Sequence, residues 1–141
     1  MRLGRFFTLE EMIYSATASR RGLKNNPSEQ QIANLRNLVQ KILDPLRCLY
    51  SRPIRVNSGF RSPDVNAAVG GVQNSQHTTG CAADIATGSL DGNRVLMGLL
   101  LQNAASLPFD QAISEKTDKY GRPVWIHISW SPNPRKQILF K

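Results

Sequence analysis

The chain has 141 residues, with 18 Lys and Arg against 10 Asp and Glu, for a net charge of +8. Its length suits one domain over residues 1–141 with a real core, and its 40% apolar and 20% charged content excludes a disordered or fibrous chain. Even "VLMGLLL" falls far short of the roughly 20 apolar residues that cross a bilayer, so no membrane insertion is expected.

In chain order, "TLEEM" reads as a capping box, Thr8 with Glu11 three residues on, opening a short helix. "SRRGLKNNPS" reads as a linker rich in turn residues. Ser28 with Gln31 opens a longer helix, with Ile32, Leu35, Leu38, Val39, Ile42, Leu43 and Leu46 at three- and four-residue steps. Asp44-Pro45 predicts a kink or an early stop. "PIRV" is a brief strand leading into the loop "NSGFRSP", and "PDVNAAVGG" gives one or two helical turns closed by glycines. "CAADIAT" suits a buried strand, and Asp91 is expected to cap a helix with Val95, Leu96, Leu99 and Leu100 inward. "FDQAISEK" and "PVWIHISW" predict a hairpin around "TDKYGR", and "KQILF" a last strand. Helices first and strands late predict an α+β domain, helices packed on a small antiparallel sheet.

The positive charge suits nucleic acid, an anionic membrane surface or an anionic cell wall. Basic residues are dispersed, among them arginines at positions 2, 5, 20, 21, 36, 47, 52 and 55 and a tail at Arg135 and Lys136, without a zinc-finger spacing or a recognition helix. Nucleic acid is therefore not the expected partner. Cys48 and Cys81 are too few for a disulfide framework and are expected to be reduced. "MRLGRFFTLEE" reaches glutamates before any apolar run, so it does not read as a secretory signal.

Only two histidines are present. His77 lies in "NSQHTTGCAADI" with Asp84 seven residues on, and His127 lies in "VWIHISW", where a period of two puts Trp125, His127 and Ser129 on one face. A catalytic zinc wants three N or O ligands and an open fourth position, which His77, Asp84 and His127 would supply once. Two hydrogen-bonded core histidines are the other reading of the same residues. Arg61, in the tight loop "SGFRS", could reach into a cleft and fork onto a carboxylate or oxyanion, or stand solvated at the surface.

Together, "VNSGFRSPDVNAAVGGVQNSQHTTGCAADI", "FDQAISE" and "WIHIS" resemble the zinc D-alanyl-D-alanine carboxypeptidase family of peptidoglycan peptidases, part of the lysostaphin and hedgehog-like metallopeptidase group. The resemblance is closest to the compact single-domain members of bacteria and their phages. It implies one zinc per chain on His77, Asp84 and His127, Arg61 as a catalytic or substrate-binding cation, and Ser75 and Trp125 beside the substrate. Gly80 and Ala83 would be packing positions around the ligand strand. Many members carry an acidic base three positions before the last histidine, where this chain has Val124; the compact members place a glutamate at the end of the preceding strand, here Glu115, with Asp110 and Asp118 as weaker alternatives.

The implied function is cleavage of peptide bonds involving D-amino acids in cell-wall stem peptides, as a D,D-carboxypeptidase or endopeptidase, with a role in phage lysis among its uses. The enzyme is expected to be a monomer whose substrate lies in the periplasm or cell wall. The alternatives are a catalytically inactive zinc-containing module of the same fold and a small basic nucleic-acid-binding domain.

Overall fold

Thr8 and Ser28 start two helices by the same reciprocal device in the computed structural model, which describes residues 1–141. The Thr8 hydroxyl accepts from the Glu11 backbone N–H at 3.2 Å while the Glu11 carboxylate accepts from the Thr8 N–H at 2.8 Å, opening α1 (Leu9–Ile13). Ser28 and Gln31 repeat this at the start of α3 (Glu29–Leu38). Between them lies α2 (Ala16–Arg21), capped by Ser15 and ended by Gly22 at φ +65°. The stretch expected to be a linker from Ser19 therefore starts inside a helix.

After α3 the backbone widens into a π-helical turn, Val39–Leu43, and continues as α4 (Asp44–Tyr50). Pro45 has no N–H to give and its ring crowds the preceding turn; the widened turn absorbs both defects, so the helix neither stops nor breaks there. Leu35, Leu38, Val39, Ile42, Leu43 and Leu46 are all buried in one cluster with Leu3, Phe7 and Met12. In α6 (Leu90–Gln102) the cap is Ser89 rather than Asp91, which lies in the first turn and pairs with Arg122. Leu96 and Leu100 are buried there and Leu99 packs partly buried against the core, as expected, whereas Val95 is 52% exposed and Met97 is buried instead.

Five strands form one sheet in the order β1 (Arg55–Ser58), β2 (Ala82–Ala86), β4 (Trp125–Trp130), β3 (Phe109–Glu115), β5 (Gln137–Phe140). The first four are antiparallel as expected, but β5 runs parallel to β3. With β2 and β3 already flanking β4, the chain leaving Trp130 must pass the start of β3 to reach a free edge, and it then runs in the direction of β3. Helices α3 and α6 pack on β4, and Ala83, Ile85, Ala112, Ile126 and Ile128 point into that core. The alternate residues of the same strands face the other way. They line a cleft with the segment that follows α5 (Pro63–Ala68).

Candidate metal centre

His77 sits on a short 3-10 turn, Gln76–Thr79. Ser75 caps this turn, its hydroxyl accepting from the His77 N–H at 3.2 Å. Gly80 ends it at φ +78°, and a Cβ there would lie 2.5 Å from the Gln31 carbonyl oxygen, so α3 and the turn approach too closely for any side chain. The His77 Nδ1 lies 2.7 Å from the Gly59 carbonyl oxygen. A carbonyl only accepts, so Nδ1 carries the proton and Nε2 turns a lone pair toward the cleft. Gly59 is equally constrained: a Cβ would meet the Met12 carbonyl oxygen at 2.2 Å.

Asp84 and His127 are direct cross-strand partners on β2 and β4, both on the face away from the core. The His127 Nδ1 and the His77 Nε2 each lie 3.2 Å from the same oxygen, Asp84 Oδ1. The three candidate ligand atoms are within 4.8 Å of one another, and the two imidazoles meet edge to face with centroids 5.2 Å apart. The second oxygen, Asp84 Oδ2, accepts from Arg61 Nη2 at 3.3 Å. Arg61 is held in turn by Ser58 Oγ at 2.9 Å and Asn66 Oδ1 at 3.2 Å. Burial acts to raise the Asp84 pKa, but when the imidazoles carry protons toward it, hydrogen bonding and charge from His127 and His77 outweigh burial and hold the carboxyl well below the usual range. Burial lowers the Arg61 pKa, and Asp84 opposes that.

These groups fit a cation. The His77 lone pair is aimed at a carboxylate oxygen because its proton is committed to Gly59. On His127, Nε2 faces the Gln76 Oε1 at 3.5 Å, so a proton there likewise leaves Nδ1 as a lone pair toward Asp84. Two nitrogen lone pairs and a carboxylate then converge, an arrangement that repels itself unless protons or a metal ion stand between the atoms. Two imidazoles and one carboxylate are the ligand types that zinc takes when a fourth position stays open.

The cleft above them has a volume of about 580 Å³. Arg61, Ser75, Glu115 and Trp125 all line it, together with the three ligand candidates. Glu115 is opposite Trp125 across β3 and β4, one step along the cleft face from Ile113, which is opposite His127. Val124 donates its backbone N–H to the Glu115 carbonyl at 2.9 Å, but its side chain does not line the cleft. Asp118 is bound to Arg122 and Asp110 to Arg135, and neither lines the cleft. Ala83 is buried in the core behind the ligand strand. Cys48 and Cys81 are both free.

Three positioning residues escaped the sequence reading. Asn66 is buried and grips Arg61 while donating to the Val72 carbonyl at 2.7 Å. Asn25 donates to the Ile13 and Phe60 carbonyls and accepts from the Ser62 N–H, fixing the loop that carries Arg61. Gln76 contacts both His127 and Asp110, and only its place beside His77 hinted at it.

A zinc D-Ala-D-Ala carboxypeptidase of Streptomyces albus G is 55% identical to this chain over 38 residues. That stretch is 27% of this chain and 15% of the relative, so the likeness to it is local. The family model for peptidase M15 matches residues 5–129, a span that contains Arg61, His77, Asp84, Glu115 and His127. By that match over most of its length, the chain belongs to the peptidase M15 family.

Proposed function

We propose that this chain is a zinc-dependent peptidase, acting as a monomer on peptide bonds involving D-amino acids in peptidoglycan stem peptides. One zinc per chain would be held by His77 Nε2, Asp84 Oδ1 and His127 Nδ1. The observation that carries this reading is the convergence of those three atoms within 4.8 Å at the floor of an open cleft. When bound, the ion supplies Lewis acidity to a carbonyl and to water.

The chain's own residues supply the rest. Glu115, on the cleft face, takes the proton of the attacking water and returns it to the leaving amine. Arg61 spends three N–H groups on Ser58, Asn66 and Asp84, leaving two of the five donors for an oxyanion or a terminal carboxylate. Trp125 offers an apolar wall, and Ser75 acts by capping the turn that presents His77. The name of the Streptomyces relative supports a D,D-carboxypeptidase, while the open cleft also suits an endopeptidase. The net charge of +8 would help hold such an enzyme on an anionic wall, which suits a role in cell-wall degradation such as that of an endolysin.

A second reading, a zinc-holding module without catalysis, draws on the valine at position 124. The two part in one experiment: purified peptidoglycan is digested with the wild type, with chelator-treated protein and with zinc-restored protein, and the products are identified by mass spectrometry. Release of D-alanine or of uncrosslinked stem peptides, abolished by chelation and restored by zinc, is expected. Intact peptidoglycan with zinc bound would favour the inactive module.

A further inference from the structure

Gln76 reaches two partners. Its Nε2 donates to Asp110 Oδ2 at 2.8 Å, and its Oε1 faces His127 Nε2 at 3.5 Å, the outer limit of a hydrogen bond. The amide orientation follows from Asp110, which as a carboxylate can only accept; a flipped amide would press oxygen against oxygen. Asp110 is itself clamped. Its Oδ1 accepts from the Arg135 backbone N–H at 2.9 Å and from Arg135 Nε at 3.0 Å, and its Oδ2 accepts from Arg135 Nη2 at 2.7 Å. The side-chain and backbone donors of Arg135, with Gln76, keep Asp110 ionised, its pKa lowered to about 2 against the opposing effect of burial. Arg135 lies beyond residue 129, where the family match ends, on the passage between β4 and β5.

We propose that Arg135, Asp110 and Gln76 form a positioning chain for His127, in which the Gln76 carbonyl oxygen accepts the His127 Nε2–H and so presents Nδ1 as the ligating atom. Asp110 acts through Gln76: it fixes which end of the amide meets the imidazole. A ligating histidine whose far N–H is held is better oriented and a stronger ligand, and loss of such a partner typically weakens metal binding about 10–100-fold. The inference rests on the zinc reading above and adds to it the way the β4–β5 passage reaches the metal ligands.

The test is zinc affinity, measured by competition with a chromophoric chelator, for wild type, Gln76→Ala, Asp110→Asn and the double variant, with folding checked by circular dichroism. Gln76→Ala is expected to raise the zinc Kd about 10–100-fold. Asp110→Asn, whose amide can turn the Gln76 amide round and set N–H against N–H, is expected to raise it at least as far. The double variant should be no weaker than Gln76→Ala alone, because Asp110 has nothing left to act through. In the zinc-loaded wild type the His127 Nε2–H proton should be visible by NMR and slow to exchange, and that protection should vanish in Gln76→Ala. If Asp110→Asn does not fold, Arg135→Ala removes the exposed end of the clamp and should give a smaller loss that also disappears in the Gln76→Ala background. A Kd within twofold of wild type for Gln76→Ala, or losses that multiply in the double variant, would overturn the chain alone. A wild type that binds no zinc would overturn it together with the proposed function.

Discussion

Replacing Asp84 by asparagine separates a site built around a cation from a site built around an ion pair. Asp84 and Arg61 are mostly buried, their side chains 13% and 15% exposed, and breaking a buried pair by removing one charge ordinarily costs about 3–5 kcal/mol. Here the asparagine N–H₂ would sit where Oδ1 now lies, 3.2 Å from both imidazole nitrogens, and would donate to the two lone pairs, while its oxygen would still accept from Arg61. Two new hydrogen bonds at about 1 kcal/mol each offset about half of the lost charge interaction. In chelator at pH 8, metal-free Asp84→Asn should therefore unfold in urea within about 1–3 kcal/mol of metal-free wild type. Zinc at a hundredfold excess over its Kd should stabilise the wild type by about 2.7 kcal/mol, roughly 9 °C in Tm for 141 residues, and the variant hardly at all. A metal-free loss of about 4 kcal/mol or more, or an undiminished zinc effect in the variant, would refute the picture of three acceptors awaiting a cation.

Glu115→Gln should leave zinc affinity and Tm unchanged while lowering peptidoglycan turnover about 10²–10⁴-fold, as measured by product release under single-substrate conditions. Asp110 should make folding sensitive to acid. Its folded pKa of about 2 lies below the ordinary 3.8, so its contribution is present above about pH 4 and is lost as pH falls through about 2. That difference corresponds to about 2 kcal/mol, discounted to about 1 kcal/mol because Arg135 is largely exposed. The pH dependence of urea midpoints should show this slope in wild type and lose it in Asp110→Asn. Gly80→Ala forces a side chain into a left-handed backbone against the Gln31 carbonyl and should cost about 2–4 kcal/mol in thermal unfolding, with a weaker zinc effect because the His77 turn shifts.

What the sequence made legible was local. Thr8 with Glu11 and Ser28 with Gln31 encode their caps within four residues, and the apolar steps from Leu35 to Leu46 encode a buried helix face. The alternation in "VWIHISW" put His127 and Trp125 on a shared face, as the cleft shows. Features that depend on register or on distant partners were not legible. The parallel β5 follows from which sheet edge remains free, and Asn93, donating to the Pro123 and Val124 carbonyls, ties α6 to a loop thirty residues on. Gln76 and Asp110, 34 positions apart, are joined only by the folded sheet.

The most direct test of the metal centre is the zinc content of the purified wild type beside His77→Ala, measured by elemental analysis after dialysis against trace zinc. One zinc per wild-type chain, and none retained by the folded variant, is the expected result. A wild type without zinc, or a His77→Ala protein that keeps it in full, would contradict the assignment of His77, Asp84 and His127 as its ligands.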